Sequence, residues 1–278
     1  MTAIEVRGLR KTYGSRSAVS GIDLSVPHGE VFALLGPNGA GKTTTVEILE
    51  GHRRRDSGDV RVLGQDPAVG GRAWRARIGI VLQSATDAAD LTVVETVRHI
   101  ASLYPRPRAA AEVIELVGLG DQAKAKVQAL SGGQRRRLDV ALGIVGRPEI
   151  VFLDEPTTGF DPHARRQFWQ LVRALAAEGT TILLTTHYLD EAEALADRLA
   201  VIAAGVLVAE GTPATLGGRA GAGATVSWTG PAGQESELTA DPVALITKLT
   251  AAGVDLPGLT VTRPSLEDTY LALIGEQR

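Results

Sequence analysis

The stretch EVFALLGPNGAGKTT, Glu30 to Thr44, decides the fold. An apolar run closes on a glycine, a glycine-rich turn follows, and Lys42 to Gly51 reads as helix. Gly36, Pro37, Asn38, Gly39, Ala40, Gly41, Lys42 and Thr43 meet the pattern G-x-x-x-x-G-K-[ST], with Thr44 directly behind. The strand–loop–helix context is the one that the pattern needs. The glycines let backbone N–H groups wrap a β-phosphate. Lys42 supplies a point charge for the β- and γ-oxygens, and Thr43 a hydroxyl for Mg²⁺.

Working outward, further strand-like segments end in polar groups. Ile150 to Glu155, IVFLDE, is apolar until two adjacent carboxylates. Beside a phosphate loop, Asp154 suits Mg²⁺, directly or through water, and Glu155 suits a general base aimed at an attacking water. TTILLTTH closes on His187 and RIGIVLQ on Gln83. Ligands bind at the carboxyl edge of open α/β sheets, so His187 is expected on the γ-phosphate and Gln83 within reach of Mg²⁺ or the water. Tyr13 alone reads as packing. The strands alternate with helices, giving an α/β core interrupted by a helical insert at about residues 84–146.

A second turn stands out in LSGGQRRR, Leu130 to Arg137. Ser131, Gly132, Gly133 and Gln134 lead into a basic helical segment, an arrangement that offers free N–H groups and a helix N-terminus to an anion. One phosphate loop already exists, so a single chain carries two phosphate-binding turns. The arginine runs at 53–55 and 135–137 read as solvated or phosphate-facing surfaces.

The 278 residues allow one large or two smaller domains; apolar residues are 44% and a core can form, while a net charge of −3 makes no case for nucleic acid. With no cysteine, disulfides and thiolate metal sites are excluded. The apolar run Leu199 to Ala209 is too short for a membrane span and the start lacks a signal-peptide core, so the chain is expected to be cytoplasmic. The Gly/Ala-rich segment 217–224 reads as a linker between residues 1–216 and a C-terminal extension, 225–278. In the extension, strands at ATVSWTG and GLTVTR and helices at DPVALITKLTAAG and PSLEDTYLALIG are expected, the last with Ser265 and Asp268 as a capping pair.

Taken together, these motifs over residues 4–215 resemble the ATP-binding subunits of ABC transporters. GPNGAGKTT looks like the Walker A loop, IVFLDE like Walker B with its catalytic glutamate, and LSGGQ like the family signature. Gln83 falls at the Q-loop, Asp161 in TGFDP at the D-loop, His187 at the switch histidine and Tyr13 at the aromatic that stacks on adenine. The longer stretches around them, and the tail RPSLEDTYLALIG, are similar to drug and antibiotic exporters of the daunorubicin-resistance type. Phe160 and Thr158 depart from the usual D-loop leucine and serine.

The resemblance implies a P-loop NTPase core with an antiparallel β subdomain, an inserted α-helical subdomain and a small α+β extension. It implies ATP and Mg²⁺, a head-to-tail homodimer in which each ATP lies between one chain's GPNGAGKTT and the other's LSGGQ, and a separate transmembrane permease. The chain would sit at the cytoplasmic face of the membrane and power export of a drug, antibiotic or lipid-like compound. A soluble ABC ATPase uncoupled from transport and the ATPase of an importer are the rival readings.

Overall fold

The computed structural model describes residues 1–81, 90–230 and 233–275, and the chain divides into two compact units, Met1–Val208 and Ala209–Arg278. The first unit opens with β1 (Thr2–Tyr13) and β2 (Arg16–Pro27), an antiparallel hairpin that sets Tyr13 opposite Arg16. Next come β3 (Val31–Leu35), α1 (Lys42–Leu49), β4 (Ser57–Val62), α2 (Arg72–Arg75) and β5 (Ile78–Val81). Helices α3 (Val93–Ala101), α4 (Ala110–Leu116) and α5 (Gly132–Ile144) form the insert and pack on one another. The chain returns through β6 (Ile150–Asp154), α6 (Pro162–Ala177), β7 (Thr181–Thr186), α7 (Leu189–Leu195), β8 (Arg198–Ala203) and β9 (Val206–Gly211).

Strands β3 and β7 are buried at every position, as a strand covered on both faces must be. They lie inside a six-stranded sheet of order β5-β6-β7-β3-β8-β9, with β5, β6, β7, β3 and β8 mutually parallel. A separate antiparallel sheet has the order β2-β1-β4. One core joins the two: Ile4, Val6 and Leu9 of β1 cluster with Phe32 and Leu34 of β3, Phe152 of β6 and Leu183 of β7. The order β6-β7-β3 has a functional consequence. It brings the carboxyl ends that precede Glu155, His187 and Gly36 side by side, although the three are far apart in the chain.

The expected strand from Arg77 to Gln83 is present as β5; Gln83 itself lies outside the described residues, with the rest of 82–89.

The second unit holds β10 (Ala224–Gly230), β11 (Gly233–Thr239), α8 (Pro242–Ala251), β12 (Thr260–Thr262) and α9 (Leu266–Gly275), with the sheet order β11-β10-β12. Its small core is Val226, Trp228 and Leu245, flanked by Ile246, Leu249 and Leu256. Strand β11, GQESELT, has almost no apolar residue, so the pattern that reveals β10 gives no sign of it. Most of the Gly/Ala segment read as a linker is folded: Leu216–Gly221 is a 3₁₀ turn, pinned by Arg219, which donates to the carbonyls of Pro213 and Pro264 at 2.8 Å each. The Ser265–Asp268 pair caps the last helix reciprocally, as expected.

Candidate functional site: a phosphate cradle at the sheet edge

The loop after β3 wraps a cavity of about 350 Å³ lined by Tyr13, Arg16, Asn38, Gly39, Gly41, Lys42, Thr43, Thr44 and Glu155, among others. Gly41 is the N-cap of α1 and has φ +109°. A Cβ there would stand 2.4 Å from the Ala18 carbonyl oxygen, and one at Gly36 would stand 2.3 Å from that of Ile202. Both positions therefore exclude every side chain. Lys42 is buried, and its ammonium donates to the carbonyls of Gly36 (2.6 Å) and Pro37 (3.3 Å). Burial pushes its pKa down while Glu155 and Asp154 oppose that shift. The cation is thus preformed inside the loop, held by weak acceptors that a phosphate can replace.

At the end of β6, Asp154 accepts a hydrogen bond from the Thr185 hydroxyl of β7. Thr185 also accepts from the Glu155 amide through both its hydroxyl and its carbonyl, at 3.1 Å each. Glu155 has φ +45°, the left-handed region that a residue with a Cβ adopts only when its surroundings impose it. Its carboxylate lies 3.4 Å from Nδ1 of His187, whose ring stacks at a tilt on Tyr188. The structure therefore brings Asp154, Glu155, His187 and the phosphate loop to one edge. Thr185 was invisible in the sequence, because its role arises only once β7 lies beside β6.

Tyr13 is 41% exposed at the cavity rim, with the cations of Lys11 and Arg53 at 5.4 and 5.3 Å from its ring centre. Arg16, not anticipated, donates to the Gly39 carbonyl at 3.0 Å and adds a second cation to the cradle. Its position opposite Tyr13 in the hairpin is the signal that could have pointed to it.

The second turn behaves differently. Ser131 is the N-cap of α5: its hydroxyl accepts from the Gln134 amide (3.2 Å), and the Gln134 side chain accepts from the Ser131 amide (2.9 Å). Gly132 and Gly133 face another cavity, of about 490 Å³, shared with Arg135, Arg136, Asp139, Thr158 and Gly159. Glu155 lines both cavities. Ser131 and Gln134 line neither of the two. Asp161 caps α6, accepting from the amides of His163 and Ala164 at 2.8 Å each, and does not line the phosphate cradle.

The arginine runs divide between solvent and specific partners: Arg54 is exposed, and Arg135 and Arg136 line the cavity at Gly132 and Gly133. Arg53 pairs with Glu47 at 2.5 Å and Arg55 with Asp66 at 2.7 Å. Arg135 donates to the Val127 carbonyl and Arg137 to that of Gly118, at 3.2 Å each, while Arg136 is buried. Their shared sequence pattern conceals three separate destinations around the helix.

Comparison with known proteins points the same way. A family model described as ABC transporter matches residues 19–158. The daunorubicin/doxorubicin resistance ATP-binding protein DrrA of Streptomyces peucetius is 49% identical over 219 residues, which is 77% of this chain and 66% of that protein, just under two thirds of its length. The daunorubicin resistance ATP-binding protein DrrA3 of Streptomyces coeruleorubidus is 38% identical, covering 100% of this chain and 97% of its own. A Nod factor export ATP-binding protein I of Ralstonia nicotianae is 44% identical over 77% of this chain and 68% of its own. Among solved structures, an ATP-binding subunit of an ABC transporter superposes with TM-score 0.70 at 27% identity, covering 77% of this chain and 91% of that one. The ADP conformation of an ATP-binding cassette gives TM-score 0.68 at 26% identity, over 76% and 91% of the two chains.

Proposed function

The chain belongs to the ATP-binding subunits of ABC transporters, which bind and hydrolyse ATP, and from that membership we propose that it powers export through a separate membrane permease. The cargo class is a small amphipathic compound such as an antibiotic, or a lipid or glycan. Relatives named for daunorubicin resistance and Nod factor export support that class. Among the described residues no helix is long and apolar enough to cross a membrane; the path for the cargo is assigned to the partner permease. The chain then works at the cytoplasmic face of the membrane as a peripheral subunit.

One observation carries the proposed assembly: the two anion turns open onto different cavities, with Glu155 on the rim of each. A second anion turn that does not line its own chain's phosphate cradle is suited to a nucleotide supplied by another chain. Two chains therefore pair head to tail, and Ser131, Gly132 and Gly133 of one complete the γ-phosphate site of the other. Gln134 braces that turn through the capping box. The D-loop acid Asp161, held by its capping bonds, lies on the approach to the neighbour's nucleotide.

Within a site, Gly36 to Thr44 cradle the β- and γ-phosphates and Lys42 exchanges its carbonyl partners for phosphate oxygens. Tyr13 stacks on the base. Glu155 takes the proton of the attacking water, and His187, in contact with Glu155, binds the γ-phosphate. The Thr43 hydroxyl and the Asp154 carboxylate are hard oxygen donors that fit Mg²⁺ and would hold it beside the phosphates. Such an ion neutralises charge on the phosphates. Gln83, the further Mg²⁺ or water contact expected from the sequence, lies outside the described residues.

Tethered dimers test the assembly. Lys42→Ala and Ser131→Arg homodimers should each be nearly inactive. A tethered dimer with one lesion in each chain retains one intact composite site and should recover ATPase activity. With both lesions in one chain, no composite site is intact and activity should vanish. Full activity of the wild-type chain in that last dimer would refute the head-to-tail arrangement. Export is tested in the host. Loss of the chain should raise intracellular doxorubicin fluorescence, with rescue by the wild-type chain and none by Glu155→Gln. Equal accumulation in all three strains would count against an export role.

A further inference from the structure

The left-handed backbone at Glu155 raises the question of what holds it. Its amide is held by Thr185, at 3.1 Å from both the hydroxyl and the carbonyl oxygen. The carbonyls on either side are held by one side chain from elsewhere. Arg136 donates from Nη2 to the Asp154 carbonyl at 2.7 Å and from Nε to the Pro156 carbonyl at 3.3 Å. Nε and Nη2 lie on the same edge of the guanidinium, so a single rigid fork holds the carbonyls of the residues before and after Glu155, Asp154 and Pro156.

Arg136 belongs to α5, the helix that begins at Ser131. It is 9% exposed, unlike the partly exposed Arg135 and Arg137 beside it. Burying a guanidinium is costly unless charges and acceptors compensate. Three carboxylates do so electrostatically: Asp139 on the same helix, Asp154 of β6 and Glu191 of α7. Glu191 is completely buried and faces Thr186, Thr157 and Trp169, whose donors lie near it but short of hydrogen-bonding geometry. Thr186 directly precedes His187, and Thr157 lies two residues after Glu155. Burial still outweighs these carboxylates and pushes the Arg136 pKa down, so the interior of the first unit places a partly offset cation beside the backbone of Glu155.

We propose that Arg136 is a positioning residue for ATP hydrolysis, fixing the backbone on both sides of Glu155 from the helix that carries the second anion turn. Among the described residues its hydrogen bonds go to the Asp154 and Pro156 carbonyls. It acts through Glu155, keeping that carboxylate at the rim of the cradle. It also joins two sites: the helix whose N-terminus serves the neighbour's phosphate grips the loop that presents this chain's own base. That second consequence rests on the head-to-tail reading above; the first does not.

The test begins with the full-length chain carrying Arg136→Gln or Arg136→Lys. Neither replacement can span two carbonyls with one rigid fork. A small displacement of the base is expensive, so kcat should fall roughly 10–100-fold while KM for ATP stays within about twofold. ATP affinity in a Glu155→Gln background should also be unchanged. Full turnover in Arg136→Lys would show that charge alone suffices and would overturn the proposal. So would an ATP affinity that falls in step with kcat. Thermal melting identifies a variant that merely unfolds; should Arg136→Gln do so, Arg136→Lys still decides the question.

A tethered dimer with one Glu155→Gln chain then isolates a single base. Placing Arg136→Gln in the chain with the intact Glu155 should cut turnover roughly tenfold or more, and placing it in the other chain should leave turnover within about twofold of the same dimer without it. Equal loss in both placements, or loss only in the second, would overturn the assignment, because Arg136 would then act through fold or signature turn. The homodimer measurement does not depend on which chain completes a site. Its failure therefore counts against Arg136 alone, whereas the Lys42 and Ser131 lesions judge the head-to-tail reading.

Discussion

At the scale of single residues, the cradle is a set of groups held in readiness by weak partners. Lys42 illustrates this: two carbonyls occupy its ammonium until phosphate replaces them. Tyr13 is similar, its ring partly covered by the cations of Lys11 and Arg53. Replacing Tyr13 by Ala should weaken ATP and GTP alike by about 1–3 kcal/mol, since stacking on a base is indifferent to its identity. Unchanged affinities by calorimetry would return Tyr13 to a packing role. Glu50 makes a prediction about pH. It is 6% exposed, its pKa is raised to about 8, mainly by burial, and Nδ1 of His52 lies 3.3 Å from its carboxylate. The folded chain keeps a proton that the unfolded chain releases above 4.5, so this group's contribution to stability is full below that pH and is lost as pH rises towards about 8. Glu50→Gln should accordingly stabilise the protein at pH 8 relative to wild type, by a few kcal/mol at most, and make little difference near pH 4.5. An equal Tm difference at both pH values, by calorimetry, would contradict the assignment.

At the scale of elements, helix starts carry much of the site. Three of them, at Gly41, Ser131 and Asp161, stand where the sequence places phosphate or nucleotide contacts, yet each is satisfied differently. Gly41 has no side-chain cap and leaves its N–H groups to the cradle. Ser131 is in a reciprocal box with Gln134, and Asp161 binds two amides of α6. The amide bonds hold the Asp161 carboxyl below its ordinary pKa. Asp161→Ala should lower Tm by about 2–4 °C, whereas Asp161→Asn, an equally good cap, should leave it nearly unchanged. Equal losses in the two variants would mean that charge, not capping, is what the helix start uses. The same helices explain the partial legibility of the site. Ser131 and Gln134 are three residues apart, and a box needs only local chain to form. The cation of Arg136 finds its acceptors eighteen residues on, at Asp154, and no local spacing encodes that.

At the scale of the whole molecule, the chain passes from the first unit to the second within β9. Every group assigned to ATP lies in the first unit, which has its own two-sheet core. The second unit has a separate and much smaller core around Trp228. Ending the chain after Pro213, which keeps β9 whole, should leave a folded protein that binds ATP with unchanged affinity. The full chain should show an additional, lower-melting transition in calorimetry that the truncated chain lacks. Aggregation of the truncated chain would show instead that the first unit needs the second to fold.

By itself the sequence determined the chemistry that contiguous residues can build. The phosphate loop, the paired carboxylates ending an apolar strand, the turn-to-helix start of LSGGQ and the α/β alternation all follow from spacings of a few residues and from the burial that a parallel strand demands. The tertiary structure alone decided how those pieces face one another. Thr185 reaches Asp154 across 31 residues and Arg16 reaches Gly39 across 23, because the order β6-β7-β3 and the hairpin fold-back are set by the packing of a common core. The same packing opened the two anion turns onto different cavities and turned Arg136 inward while its neighbours in the same run stayed partly exposed. A run of like charges has no preferred direction until a buried set of carbonyls and carboxylates exists to receive one of them.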